Sequence, residues 1–208
     1  MILHGYFRST ASWRVRIALA LKGLTVTHSS HHLRKGEQRA ANYLAVNPQA
    51  LVPALELDDE VVLTQSLAII EFLDELHPDP PLLPADPVDR AIARSIALAI
   101  ACDIHPIQNL KILDRVRQIG GQEAADDWAR TTIMDGLAAT EQLIQRRGGR
   151  FCVGDQPTLA DICLVPQLGN ARRFGVELVW PRIAAVDEAC AAMPEFAGAV
   201  PNRQADAY

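Results

Sequence analysis

The chain has 208 residues, 49% of them hydrophobic and 22% charged, with a net charge of −5. That balance describes a globular protein with a sizeable core and excludes a disordered chain; it gives no general attraction to nucleic acid or to anionic membranes, so neither is an expected partner. The start, MILHGYFRST, lacks the basic stretch and apolar run of a signal peptide, and the longest apolar run, Ile96–Cys102, is far short of the ~20 residues of a membrane span.

The first eighty residues alternate between two periods. Ile2–Tyr6 reads as a short buried strand. Ser12–Lys22 sets Trp13, Ile17 and Leu21 on one helical stripe, with Gly23 as a stop. Thr25–Ser30 is a second strand, Gly36–Val46 a loose helix ended by Asn47-Pro48. Val52–Leu57 and Val61–Thr64 form a hairpin across Asp58-Asp59-Glu60, and Ser66–His77 is a helix with Ser66 as its N-cap. The order βαβαββα implies an α/β layer with one parallel crossover and an antiparallel hairpin.

Pro78–Pro87 holds five of the thirteen prolines, which suit neither helix interiors nor central strands, so it reads as a linker. The predicted domains are 1–78, a linker over 79–87, and 88–208. Beyond the linker the strand signal disappears. Val88–Ile119 is one long helical pattern interrupted at Pro106, and Glu123–Arg147 a second whose apolar face is Trp128, Ile133, Leu137 and Leu143–Ile144. Thr158-Leu-Ala-Asp161 has the form of a capping box opening an apolar helix, and Arg182–Ala192 is the last regular helix. The four cysteines (Cys102, Cys152, Cys163, Cys190) are widely spaced in apolar contexts, which predicts buried free thiols in a reducing cytoplasm and no disulfide or zinc site.

Tyr6–Arg16 (YFRSTASWRVR) runs from a strand end through a polar loop into a helix. The free amides of that helix's first turn and the hydroxyls of Ser9, Thr10 and Ser12 suit an anion such as a thiolate; Ser9 or Ser12 acting only as a cap is the competing reading. Val52-Pro53 reads either as a simple edge-strand proline or as a deliberate turn, with a cis bond in view, that would leave the Val52 backbone open to an extended peptide. Gln65-Ser66, at a helix start, suits a ligand carboxylate or serves as an N-cap. Arg8, Arg172 and Arg173 read either as surface charges or as bidentate carboxylate clamps. His28, His31 and His32 lie together without metal-ligand spacing, so no metal is expected; His105 stands at the Pro106 break.

Together these segments resemble the zeta class of the glutathione transferases, whose active-site stretch reads S-S-C-x-W-R-V-R-I-A-L where this chain has Ser9-Thr10-Ala11-Ser12-Trp13-Arg14-Val15-Arg16-Ile17-Ala18-Leu19. Further matches are NPQALVPAL (Asn47–Leu55), QSLAIIEFL (Gln65–Leu73), PIQNL (Pro106–Leu110) and FCVGDQPTLADICLVPQ (Phe151–Gln167). The resemblance implies a thioredoxin-like N-terminal domain, an all-α C-terminal domain, a homodimer, and glutathione as cofactor. It implies that Ser9 bonds the glutathione sulfur, supported by Thr10 and the backbone at Ala11. Gln38 and His105 would lie near the glycine end, Val52 beside cis Pro53 would pair with the cysteinyl backbone, and Gln65 and Ser66 would hold the γ-glutamyl group. Asn109 and Lys111 fall at further contact positions, and Arg8 and Arg173 at those of substrate carboxylates. Ala11 replaces the family's cysteine, Thr10 its second serine, and His105 a common glutamine.

The implied reaction is cis–trans isomerisation of a maleyl-type dicarboxylate, maleylpyruvate or maleylacetoacetate; Ala11 and the arginines favour the shorter maleylpyruvate. Alternatives are conjugation or dehalogenation of small α-halo acids and a non-catalytic glutathione-binding protein. Thiol–disulfide exchange on the same fold needs a cysteine where the loop reads Ser9-Thr10-Ala11-Ser12.

Overall fold

The computed structural model describes residues 1–58 and 61–207. Asp59 and Glu60, expected within the hairpin turn, lie outside the described residues. The chain divides into two compact units, Met1–Leu82 with Met193–Tyr208, and Leu83–Ala192. The sequence reading kept 88–208 together, whereas residues 193–207 fold with the first unit, held there by side chain–backbone bonds described below.

In the first unit the elements are β1 (Ile2–Gly5), α1 (Thr10–Leu21), β2 (Thr27–Ser30), α2 (Ala41–Val46), β3 (Ala54–Glu56), β4 (Val62–Thr64) and α3 (Ser66–Leu76). The sheet order is β2-β1-β3-β4, with β1 parallel to β2 and antiparallel to β3, and β3 antiparallel to β4. This is the expected βαβαββα layer. Odd positions of β1 face α1: a Cβ added at Gly5 would stand 3.4 Å from Ser12 Oγ. The even-numbered His4 faces the other way and meets the Tyr43 ring of α2 at 5.9 Å. The loose helix expected over Gly36–Val46 is one tight turn, Glu37–Arg39, followed by the short α2, with another tight turn, Leu33–Lys35, just ahead of it. Gly36 separates the turns at φ 79°, a left-handed conformation that ends one turn and begins the next at little cost only for glycine. Lys22 is buried and its Nζ donates to Asp74 Oδ1 (2.6 Å), His77 O (2.6 Å) and Pro80 O (2.5 Å), closing the end of the layer away from the α1 N-terminus.

In the second unit α4 (Pro87–Leu98) starts on Asp86, whose carboxylate accepts from Val88 N and Asp89 N, both at 2.9 Å. The single long helix predicted over Val88–Ile119 gives way after α4 to a wider, π-type turn over Ala99–Ile104 and then a turn around Pro106. Helix α5 (Leu110–Gln145) starts on the Asn109 cap and joins the end of the first predicted pattern to the second, broken only at Gly121, whose φ of 85° a side chain would oppose. Ile133, Leu137 and Ile144 are fully buried, but Trp128 is 45% exposed with Nε1 donating to Ile107 O at 3.0 Å. Its ring is a lid on a turn, not part of the core stripe.

Helix α6 (Leu159–Arg173) opens on the predicted capping box, with buried Asp161 accepting from Cys152 N (2.8 Å), Thr158 N (2.7 Å) and Thr158 Oγ1 (2.9 Å). Helix α7 (Pro181–Ala191) packs on α5 and α6, and buried Glu141 accepts from Arg182 N (3.1 Å) and Ile183 N (2.9 Å) at its start. A further helix, α8 (Pro194–Gly198), follows in the first unit, so Arg182–Ala192 is not the last. Cys152, Cys163 and Cys190 are buried free thiols as expected; Cys102 is exposed, because the π-type turn rotates it out of the apolar stripe. Among the described residues no helix is long and apolar enough to cross a membrane.

Candidate active site

Strand register alone assembles most of the site. Because His4 pairs with Ala54 and Ala54 with Thr64, the residues just past these ends, Tyr6 onward, Val52-Pro53 and Gln65-Ser66, meet at one edge of the sheet. Tyr6, Phe7, Tyr43 and Val52 pack there as one buried cluster.

At the start of α1, Ser9 is the N-cap in extended conformation, and its Oγ accepts from Ser12 N at 3.2 Å. A hydroxyl accepts and donates at once, so the cap leaves the Ser9 proton available to a ligand. Thr10 begins the helix, 4% exposed, and its Oγ1 finds no hydrogen-bond partner among the described residues. Ala11 follows in the same turn, and the unbonded first-turn amides add partial positive charge. The half-buried Arg8 sits beside the loop with its guanidinium 5.9 Å from the Phe7 ring centre.

Val52-Pro53 is cis, and both residues are buried. Gln65, not Ser66, is the N-cap of α3, at φ 69° and ψ 117°, and makes no side-chain cap bond; its Nε2 donates to Gln49 Oε1 at 3.1 Å. Ser66 is therefore the first helical residue, 6% exposed, and its Oγ accepts from Arg14 Nη1 at 3.4 Å. Arg14, a fully buried cation ahead of α3, was missed in the sequence; its place inside an otherwise apolar helix face was the available signal. Gln38 lies in the Glu37–Arg39 turn, 9% exposed, with Oε1 unpartnered among the described residues.

On the far side of β1, His4 Nδ1 meets His31 Nε2 at 3.0 Å while His4 Nε2 meets Glu56 at 3.1 Å. Burial and the neighbouring His4 push the His31 pKa below the ordinary imidazole value, against the pull of Glu37. Burial raises the Tyr43 hydroxyl to about 12, Asn47 opposing. These groups support α2 and the turns that carry Gln38.

The remaining candidates belong to the second unit. His105, half-buried, ends the π-type turn. Asn109 caps α5, its Oδ1 accepting from Lys111 N (3.1 Å) and Ile112 N (3.4 Å), which leaves the exposed Lys111 side chain in the first turn. Arg173 closes α6 and donates to Asn170 Oδ1; Asn170 in turn donates to buried Gln108 Oε1 at 2.6 Å. Arg172 pairs with Asp187 and serves as a surface charge.

The first unit thus has a thioredoxin-like layer with a helix start, hydroxyl donors and strand-end backbone at one edge, an arrangement for a peptide-like thiol. Residues 8–76 match the glutathione S-transferase N-terminal domain, and 90–192 the glutathione S-transferase C-terminal domain. A maleylacetoacetate isomerase of Pseudomonas aeruginosa is 50% identical over 99% of this chain and 98% of its own length. A solved maleyl pyruvate isomerase, described as a bacterial zeta-class glutathione S-transferase, superposes at a TM-score of 0.96 with 45% identity over all of both chains. The maleylacetoacetate isomerase of Anaeromyxobacter dehalogenans, solved with dicarboxyethyl glutathione and citrate in its active site, gives 0.91 at 45% identity over 99% of this chain and 96% of its own. The chain belongs to the glutathione S-transferase family, in its zeta class.

The residues present fit glutathione. The buried, unpartnered Thr10 Oγ1 and Gln38 Oε1 are polar groups whose burial is costly without a bonding partner; a tripeptide would bring amide N–H donors for the Gln38 oxygen and acceptors for the Thr10 hydroxyl.

Proposed function

We propose that this protein is a glutathione-dependent cis–trans isomerase acting on a maleyl keto acid. The observation that carries the reading is Ser9, a helix cap whose hydroxyl still has a proton to donate at the positive end of α1. When bound, glutathione supplies a thiolate that adds reversibly to the conjugated double bond, which as a single bond is free to rotate.

The chain's own residues do the rest. Ser9 donates to the sulfur, and the α1 amides near Thr10 and Ala11 favour its anionic form. The Val52 backbone beside Pro53 pairs with the cysteinyl backbone. Ser66, held by Arg14, and Gln65 bind the γ-glutamyl carboxylate at the start of α3. Gln38, His105, Asn109 and Lys111 serve the other end and the substrate. Arg8 and Arg173 hold the substrate carboxylates, and their positive charge stabilises the electron density that addition pushes toward the keto group. No element of this scheme needs a cysteine at position 11, and Ala11 removes the thiol that exchange chemistry requires.

The test is conversion of maleylpyruvate and of maleylacetoacetate with and without glutathione, following glutathione concentration. Isomerisation that requires glutathione yet consumes none supports the reading; net consumption favours conjugation or dehalogenation, and binding without turnover a non-catalytic protein. Maleylpyruvate, one methylene shorter with the same two carboxylates, is the expected better substrate, and paired kcat/KM values decide it. We also propose a cytoplasmic homodimer, which the family resemblance supports and sedimentation of the purified chain measures.

A further inference from the structure

The loop that delivers Ser9 is short, and its backbone at Phe7 is gripped from both sides by groups remote in sequence. Phe7 N donates to Asp206 Oδ2 at 3.0 Å, and the same oxygen accepts from Ser30 Oγ at 2.6 Å. Phe7 O accepts from Arg16 Nη2 at 3.1 Å. Arg16, only 8% exposed, also donates from Nε (3.1 Å) and Nη2 (3.0 Å) to Ala199 O, so one guanidinium ties the loop to the C-terminal segment. Ala207 packs on the Tyr6–Phe7–Tyr43–Val52 cluster, and Gln204 Nε2 fastens the segment to itself through Gly198 O (3.1 Å) and Val200 O (3.0 Å).

The cavity between α1, β2 and residues 204–206, about 270 Å³, is lined by Arg16, Asp206, His28 and Ser12. Burial lowers the Arg16 pKa to about 10 and the Asp206 charge opposes that shift, so the guanidinium stays charged at neutral pH and its bonds to carbonyls are charge-assisted.

We propose that the C-terminal segment is a clamp on the catalytic loop, with Asp206 and Arg16 as positioning residues that fix the Phe7 peptide groups and so set where the Ser9 hydroxyl points. Both polar groups of Phe7 are held by ionised partners, the stronger kind of hydrogen bond. Ser9 follows two residues later, tied back by its own amide to Tyr6 O at 3.0 Å, so displacement of Phe7 is passed on to Ser9. In this scheme Asp206 acts through the Phe7 amide and not on the sulfur itself. The proposal rests on the reading of Ser9 as the thiolate donor.

The test compares Asp206→Ala, Asp206→Asn and Ser30→Ala in the full chain. It measures the pKa of bound glutathione's thiol by ultraviolet titration, kcat and KM for glutathione, and folded fraction and Tm. Asp206→Ala should raise the bound thiol's pKa and lower kcat per folded molecule by about tenfold to a hundredfold, with a smaller change in KM. Asparagine keeps an oxygen for Phe7 N and should recover most of that loss, and Ser30→Ala should shift the thiol pKa in the same direction by less. If Asp206→Ala fails to fold, the other two variants carry the test. A thiol pKa unmoved in every folded variant, activity falling only with folded fraction, or an asparagine variant as impaired as a folded alanine one overturns the clamp. A wild-type protein that leaves the thiol pKa at its free value refutes the Ser9 reading and the clamp with it.

Discussion

Ser9 is asked to do two things, and substitution can separate them. As a cap it accepts from Ser12 N; in the proposed mechanism it also donates to the glutathione sulfur. Replacing it by alanine removes both roles. Loss of the cap costs about 1 kcal/mol with alanine but only a few tenths with glycine, itself a tolerable N-cap. For a chain of this length each kcal/mol is roughly 2–4 °C of Tm. Loss of the donor is the same for both variants: a hydrogen bond to an ionised group contributes about 1.5–3 kcal/mol, equivalent to about 1–2 pKa units at 1.36 kcal/mol per unit. Ser9→Ala and Ser9→Gly should therefore raise the bound thiol's pKa equally, toward the ordinary ~8.5, while differing in Tm. Ser9→Thr, which retains acceptor and donor, should stay near wild type in both. Ultraviolet titration of the enzyme–glutathione complex and calorimetry on the same samples read the two quantities. Thiol pKa values in the alanine and glycine variants that match wild type, alongside the expected Tm differences, would reduce Ser9 to a cap.

Arg8→Ala and Arg173→Ala should each raise KM for the maleyl substrate by about tenfold to a hundredfold, the range for one charged hydrogen-bonded contact, with glutathione affinity by calorimetry unchanged. Arg173→Lys should rescue only partly, since a point charge cannot make the fork contact. Asp161→Ala strips three bonds from buried groups at the start of α6 and should lower stability by at least ~3 kcal/mol in denaturant titration. Tyr43 titrates at about 12 when folded against an unfolded value of 10.0. The folded state then holds more protons within that window, so stability falls as pH rises from 10 toward 12, and Tyr43→Phe should flatten that decline in denaturation midpoints.

What the sequence made legible was local. A cap is a short-range pattern, so Ser9 at α1 and the Thr158–Asp161 box are readable from a few adjacent residues. The βαβαββα order follows from periods and breakers. The edge where Val52-Pro53 meets Gln65-Ser66 was reached through family resemblance, and the register supplies its physical reason. Errors arose where a local pattern had two solutions. Trp128, five residues ahead of Ile133 and read as part of a core stripe, is one; Ser66 as cap is another, because nothing in the chain announces a positive φ at the preceding glutamine. Illegible altogether were the bonds of Arg16 to Ala199 and of Phe7 to Asp206, since contacts between residues so distant in the chain leave no periodic trace.

Gln65 has a consequence of its own. It and Ala50 are the non-glycine residues with positive φ among those described, at 69° and 56°; Gln65 is the donor of a hydrogen bond whose acceptor, Gln49, immediately precedes Ala50. A side chain held there costs on the order of 1–3 kcal/mol, a tension that glycine would release. Gln65→Gly should thus fold at least as firmly while gripping the γ-glutamyl end more weakly, as Tm and glutathione affinity measured side by side will tell. A programme of thermostabilisation that ranked substitutions by melting temperature alone would select this change and, on the proposed role of Gln65, discard part of the cofactor's grip. The turn before α3 is a place where evolvability runs against robustness, and it should be left untouched in any hardened version of the enzyme.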